Sequence, residues 1–161
     1  MTSHAQARVR RATATDAGGV LGCLAAAFAP YESHYTAKAY EDTILSHDTY
    51  LRRLQEMTIL VAQTPLGEVA DTIAYAVVAR GHGHLRGMAV RPEYQGQGIA
   101  GLLIESAEEE LRRQECVRVT LNTTQPLRKA VRFYESRGYR INGRTRDLFG
   151  MPLTEHEKSL V

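Results

Sequence analysis

A glycine-rich loop near the middle of the chain contains the residues whose types and spacing could most directly do chemistry. It reads Gln95-Gly96-Gln97-Gly98-Ile99-Ala100-Gly101. Glycines let the backbone approach a ligand closely, and the first amides of a helix that begins here lack intrahelical partners. Those amides, aided by the helix dipole, suit a phosphate group. A simple chain turn is the alternative, because short glycine motifs are weak signals.

Two known phosphate-binding loops can be compared with this segment. A Walker loop needs Lys followed by Ser or Thr after its last glycine, and neither Gly98 nor Gly101 is followed by them. The run from Gly96 to Gly101 matches the dinucleotide pattern G-x-G-x-x-G, but residues 91–95 separate it from the preceding apolar run. Residues 117–124 also lack the acidic residue that a ribose needs. The sequence therefore argues against a Walker site and against a nicotinamide or flavin site.

The loop is expected to join a buried strand to an amphipathic helix. Residues 85–90 form a short apolar run that ends before Pro92, which cannot donate to a sheet ladder. The next apolar residues recur with helical spacing, and charged residues, including Glu108, take the other face. The apolar positions of this predicted helix are Ile99, Leu102, Leu103, Ala107 and Leu111.

This strand, loop and helix resemble the acetyl-CoA site of the Gcn5-related N-acetyltransferases (GNAT). That family carries Gln/Arg-x-x-Gly-x-Gly/Ala between its fourth strand and third helix, and Gln95, Gly98 and Ala100 occupy those positions. A second family element follows, because residues 130–139, AVRFYESRGY, are similar to Ala-x-x-Phe-Tyr-Glu-x-x-Gly-Phe. Only residues 88–100 and 130–139 are specific, although the order of predicted elements agrees over nearly the whole chain.

The resemblance implies that the chain binds acetyl-CoA. The pantetheine arm would lie along Met88, Ala89 and Val90, whose backbone would orient the thioester carbonyl. Many family members place an asparagine where this chain has Leu127, and Asn122 is expected to replace it. The diphosphate would be held in the loop, by Gln95, Gly96, Gln97, Gly98, Ile99, Ala100 and Gly101.

Two side chains are candidates for proton transfer. Tyr134 occupies the family position of the general acid that protonates the departing thiolate, although its helical spacing also suits a packing aromatic. His84 lies where some members place a glutamate or histidine base that takes the proton of the amine, directly or through water. A histidine in a turn is the alternative interpretation of His84.

The acceptor pocket is expected beneath the first two helices and the loop that joins them. In that loop Tyr31, Glu32 and Tyr35 are the candidate substrate contacts, although polar residues in a surface loop are often only solvated. A small-molecule or peptide amine would fit, and the lack of a strong acidic run argues against highly cationic acceptors. Two other functions stay open: a non-catalytic regulatory module that binds CoA or acyl-CoA, and a transferase of a longer acyl group.

Composition indicates a single domain spanning residues 1–161, because 43% of the residues are hydrophobic and 24% are charged. A net charge of +2 does not point to nucleic acid, and no apolar run approaches the roughly 20 residues of a membrane span. Cys23 and Cys116 form no disulfide framework, so a reduced, cytoplasmic protein is expected. The six histidines lack metal-ligand spacing, so no metal is expected. A homodimer is expected from the family resemblance alone.

The predicted fold class is α/β (α+β), with a mixed, mostly antiparallel GNAT-like sheet of about six to seven strands and about four helices. The resemblance implies that strands 4 and 5 splay apart. We predict strands over residues 8–12, 58–63, 73–80, 85–90, 117–121, 139–141 and 146–151, with a turn at 81–83. We predict helices over about residues 16–29, 36–55, 99–113 and 127–137.

Overall fold

The structure, a computed structural model, describes residues 7–161 and follows the predicted order of elements. The helices are α1 (Ala17–Phe28), α2 (Ala37–Ile44), α3 (His47–Glu56), α4 (Ile99–Arg113) and α5 (Arg128–Ser136). The strands are β1 (Arg8–Arg11), β2 (Thr58–Gln63), β3 (Val69–Ala79), β4 (His82–Val90), β5 (Arg118–Thr123), β6 (Arg140–Leu148) and β7 (Met151–Ser159).

All seven strands belong to one sheet, in the order β1-β2-β3-β4-β5-β7-β6. Every neighbouring pair is antiparallel except β4 and β5, which run parallel. These two strands pair only where His82, Gly83 and His84 face residues 118–120, and β4 then continues to Val90 without a partner on that side. The predicted fold class and the splay of strands 4 and 5 are confirmed, and the sheet opens into a gap at its centre.

A bulge bends β4 beside this gap. Between two points of its pairing with β3, β4 contains Gly87 and Met88 where β3 contains only Ile73. Gly87 has a φ of +64°, a left-handed conformation that a side chain would strain. The bulge therefore depends on glycine and redirects the backbone just before Met88.

Hydrophobic cores lie on both faces of the sheet. On one face the core includes the buried side of α4, where Leu103, Ile104 and Leu111 pack with residues of β3 and β4. On the other face α1 and Tyr50 of α3 cover β2 and β3. Glu108 was predicted on the exposed face of α4, and that prediction is wrong, because only 3% of it is exposed.

Glu108 is buried because distant residues supply partners for its carboxylate. The hydroxyl of Tyr139 donates to it at 2.7 Å, and Lys158 Nζ lies 2.8 Å from its other oxygen. Lys158 is on β7, a strand that was not predicted because residues 151–159 are mostly polar. This strand fits between β5 and β6, and the two short strands predicted over residues 139–151 are instead the single strand β6 and the start of β7.

Three other predicted boundaries are wrong. Residues 36–55 are two helices, because Leu45 has a φ of +64° and Ser46 begins α3 with a capping box that includes Thr49. The turn predicted at residues 81–83 is limited to Arg80 and Gly81, so β4 begins at His82. The preceding strand β3 begins at Val69 and not at residue 73, so the sheet has a longer central pair than predicted.

Candidate functional site

The glycine-rich loop presents free backbone amides at the start of α4. Gly96 and Gly98 have φ values of +77° and +80°, which allow the sharp turns that a bulkier side chain would resist. Gly98 is the N-cap of α4 and supplies no side-chain cap. The amides of Ile99, Ala100 and Gly101 have no acceptor among residues 7–161. They are therefore available to an anion.

A cavity of about 680 Å³, here called the loop cavity, lies against these amides. It is walled by α5 on the opposite side, where Lys129 adds positive charge, and by Arg137 just after that helix, which forms an ion pair with Glu105. Among the predicted cofactor contacts, its lining includes Met88, Ala89, Val90, Gln95, Gly96, Gly98, Ile99, Ala100 and Gly101.

Gln97 differs from the other loop residues because it does not line this cavity. Its Nε2 donates to the carbonyl of Glu93 at 3.3 Å, which directs the side chain toward the short turn after β4. The side chain of Gln97 therefore braces the loop.

A second cavity of about 550 Å³, here called the gap cavity, lies where β4 and β5 separate. His84 of β4 and Asn122 of β5 both line it, so the fold brings these two predicted residues together. Both cavities share four lining residues, which are Phe28, Met88, Leu127 and Tyr134. The two cavities therefore adjoin at these four residues, which include Tyr134.

Tyr134 combines a packed ring with a free hydroxyl. The ring contacts Phe133 and Tyr139 edge to face, with centroids 5.7 and 5.9 Å away. The hydroxyl has no hydrogen-bond partner in the described part of the chain, although only 8% of the residue is exposed. Burial raises the pKa of the phenol well above its usual range, and an ionised Asp71 would raise it further. The group is therefore a neutral donor at physiological pH.

His84 belongs to a chain of hydrogen bonds that fixes its tautomer. Arg118 can only donate, so His82 Nδ1, 3.1 Å from it, must accept. His82 Nε2 then donates to the Thr120 hydroxyl at 2.8 Å, and that hydroxyl donates to His84 Nδ1 at 2.8 Å. The proton of His84 is left on Nε2. Burial first, and then the repulsion that a protonated His82 would add, lower the pKa of His84 to about 4, so the imidazole is neutral at pH 7.

Asn122 has an oxygen that no other group satisfies. Its Oδ1 is buried in the lining of the gap cavity and accepts no hydrogen bond from residues 7–161. A buried acceptor without a donor is costly, so such an atom indicates a ligand donor or a water.

The three predicted substrate contacts separate in the structure. Tyr35 lines the gap cavity, and its hydroxyl lies 2.9 Å from Thr124 Oγ1. Tyr31 lines the loop cavity. Glu32 is exposed on the short helix Ala29–His34 and lines neither cavity. The aromatic residues of this segment face the cavities, and the carboxylate faces solvent.

Two buried charged residues were missed by the sequence analysis. Arg53 on α3 lines the gap cavity, and its guanidinium has no partner among the described residues. Asp71 on β3 is opposite Val90. Neither of its carboxyl oxygens has a hydrogen-bond partner among residues 7–161. Burial raises the pKa of Asp71 well above its usual range, which favours the neutral acid. No sequence signal could have found either residue, because both read as ordinary polar positions.

Residues 7–161 contain no cluster of three or more His, Cys, Asp or Glu side chains that could hold a metal ion. None of the helices in this part of the chain is long and apolar enough to cross a membrane.

Solved structures share this fold over nearly the full chain. An acetyltransferase of the GNAT family from Staphylococcus aureus has a TM-score of 0.79 at 14% identity, covering 96% of this chain and 99% of that one. PaiA N-acetyltransferase from Thermoplasma acidophilum, in complex with coenzyme A, has a TM-score of 0.78 at 17% identity, with coverages of 95% and 98%. The ribosomal-protein-S18-alanine N-acetyltransferase from Escherichia coli has a TM-score of 0.76 at 18% identity, with coverages of 96% and 94%.

The sequence itself was compared with curated proteins and with family models. No curated protein matches it. The model of the acetyltransferase (GNAT) family matches residues 21–139, a span that contains the glycine-rich loop, the gap between β4 and β5, and Tyr134. This match covers most of the chain and agrees with the fold, and we conclude that the protein belongs to the GNAT family of acetyltransferases.

Proposed function

We propose that the protein is an N-acetyltransferase that moves an acetyl group from acetyl-CoA to a primary amine by direct attack. The observation that carries this proposal is the position of Tyr134. Its free hydroxyl lies where a cavity lined by unpaired helix amides adjoins a cavity in the open sheet. A donor in one cavity and an acceptor in the other would meet at this hydroxyl.

The residues present fit coenzyme A. The amides of Ile99, Ala100 and Gly101 would hold the diphosphate, with Lys129 supplying positive charge. The Oδ1 of Asn122 would accept from an amide N–H of the pantetheine arm, which would explain its lack of a protein partner. The coenzyme A in the Thermoplasma protein of similar fold agrees with this assignment.

Acetyl-CoA supplies an activated acyl group, and the chain supplies groups that move protons. The amine nitrogen bonds to the acetyl carbon as the carbon–sulfur bond breaks. Tyr134 donates a proton to the departing sulfur, because its phenol stays neutral. The unpaired backbone of β4 around Met88 is available to orient the carbonyl.

His84 is the proposed acceptor of the amine proton, directly or through water. Its lowered pKa keeps the imidazole in the neutral form down to about pH 4, but also makes it a weak base. In the observed hydrogen-bond chain the ring proton of His84 is on Nε2. For Nε2 to accept the amine proton, the ring proton must move to Nδ1, and the Thr120 hydroxyl must then reorient to accept from Nδ1. A water that delivers the proton to bulk solvent would serve without this rearrangement.

Thiol release from acetyl-CoA with a panel of primary amines tests the proposal. We expect Tyr134→Phe to lower kcat by roughly 10²-fold, since a positioned general acid contributes that much, while the KM for acetyl-CoA changes little. Tyr40→Phe is the matched control, because Tyr40 lines neither cavity. Unchanged turnover in Tyr134→Phe would leave that tyrosine a packing residue. His84→Gln is expected to slow turnover too, and equal rates would remove His84 from the mechanism.

A further inference from the structure

Arg53 is a buried cation for which residues 7–161 provide no counterion. Only 7% of the residue is exposed, and it faces the gap cavity from α3. Burial lowers the pKa of its guanidinium to about 10, and the nearby Arg86 contributes to the shift, yet the group remains protonated at neutral pH. Buried charges are normally paired, because desolvation without a partner is costly. The unpaired guanidinium therefore indicates an anion that the protein itself does not provide.

The neighbouring carboxylates do not supply that anion. Asp42 is engaged by Arg86 in an ion pair. Glu56 is exposed at the end of α3 and forms no ion pair with Arg53. Two guanidiniums and two carboxylates therefore line this part of the cavity, but neither carboxylate is paired with Arg53.

The guanidinium lies at the centre of the proposed chemistry. A Cβ atom built on Gly87 would come 2.8 Å from Arg53 Nη1, so the guanidinium rests against the β4 bulge. Met88, which follows Gly87 and lines both cavities, is the proposed contact of the thioester. An anion bound to Arg53 would therefore lie beside the β4 segment that is proposed to hold the thioester. Arg53 does not line the loop cavity, so a phosphate of coenzyme A is not its counterion.

We propose that the acceptor is an amino acid, whose carboxylate binds Arg53 while its amine attacks the acetyl group; this rests on the function proposed above. The planar guanidinium matches a carboxylate with two parallel hydrogen bonds. A peptide N-terminus would offer an uncharged amide at that distance from the amine. The cavity also has apolar walls, formed by Met57, Leu121, Leu148 and Leu153, which suit an uncharged side chain.

Matched pairs of amines test this inference. Phenylalanine, leucine and methionine are each compared with their carboxamides in the thiol-release assay. We expect kcat/KM to be roughly 10- to 100-fold higher for the acids, the usual range for hydrogen bonds to a charged group. Basicity cannot produce that order, because the amino group of a carboxamide is the less protonated one at neutral pH.

Arg53→Met keeps the volume of the side chain and removes its charge. It is expected to abolish the preference for the acid, because kcat/KM for the acids should fall to the level of the carboxamides. Arg52→Met is the control, because Arg52 is on the same helix but exposed, and lines neither cavity. Arg53→Lys keeps a charge without the planar fork, so an intermediate preference is expected. If Arg53→Met fails to fold, the inference is tested by the ratio of kcat/KM for acids to that for carboxamides, measured in the wild type and in Arg53→Lys.

The outcomes distinguish this inference from the proposed function. Equal turnover of acids and carboxamides by the wild type, unaffected by Arg53→Met, would overturn the inference and leave the acetyltransferase function standing. If the protein acetylated only amines that lack a carboxylate, the inference would also be overturned and the acetyltransferase function would stand. Binding of acetyl-CoA without turnover of any amine would overturn both.

Discussion

The substitution Gly98→Asp tests the proposed diphosphate site at the residue that begins α4. Gly98 has φ +80° and ψ 3°, and is directly followed by the three free amides of α4. Aspartate tolerates the left-handed conformation better than most residues, and backbone strain of about 1–2 kcal/mol should leave the fold intact. The new carboxylate would, however, face the bound diphosphate across the loop.

The repulsion sets the expected size of the effect. One pair of like charges about 4 Å apart, at an effective dielectric constant of about 20, costs roughly 4 kcal/mol. That energy weakens binding by about 10³-fold. Gly98→Asn is the matched control, because asparagine has nearly the same shape and the same tolerance of the left-handed region without the charge. Gly98→Asn is expected to weaken acetyl-CoA binding only through the bulk of its side chain, without the charge repulsion.

Calorimetric titration with acetyl-CoA at low and high salt measures both parts. We expect the gap between the two variants to narrow as salt rises, because added ions screen the repulsion. Thermal melting of each variant checks that the fold survives. Unchanged affinity of Gly98→Asp would refute the position of the diphosphate. Equal losses in the two variants would refute the electrostatic reasoning.

Two further predictions concern stability. Glu108→Ala should reduce the free energy of unfolding by about 3–5 kcal/mol in urea denaturation, because Lys158 and the hydroxyl of Tyr139 lose a buried partner. Asp16 accepts two hydrogen bonds from Arg10, and this side-chain contact lowers its pKa from 3.8 to about 2. The carboxylate therefore contributes stability above about pH 4 that is lost as the pH falls through 2, and Asp16→Asn should flatten that part of a pH titration of unfolding.

Glu109→Ala is the control for Glu108→Ala, because Glu109 pairs with Arg113 on the exposed face of α4 and should cost under about 1 kcal/mol. Similar losses in the two variants would show that burial of Glu108 does not matter. For Asp16→Asn, an acid unfolding curve that overlays the wild type between about pH 2 and pH 4 would remove the ion pair as a source of stability.

The glycine-rich loop and the helices α4 and α5 could be predicted from the sequence, because they depend on residues that are close together in the chain. Glycines with positive φ at positions 96 and 98, the proline after β4 and the apolar spacing of α4 act over a few residues. The same holds for α5, where the motif around Tyr134 identified both the helix and the side chain that stands between the cavities. The break at Leu45 is local too, because a capping box that begins at Ser46 starts a new helix there.

The tertiary structure decided the rest, because it depends on partners far away in the chain. Glu108 could be buried only because Lys158 arrives from the last strand. Arg53 has no distinguishing sequence context, and only the packing of α3 over the β4 bulge makes it an unpaired charge at the site. The sequence by itself predicted an anion-binding loop from its glycines and the helix that follows, and the resemblance to the GNAT family supplied Tyr134 as the acid candidate. The burial of charged residues such as Arg53 and Glu108 depends on the tertiary structure, because elements far away in the chain pack over them.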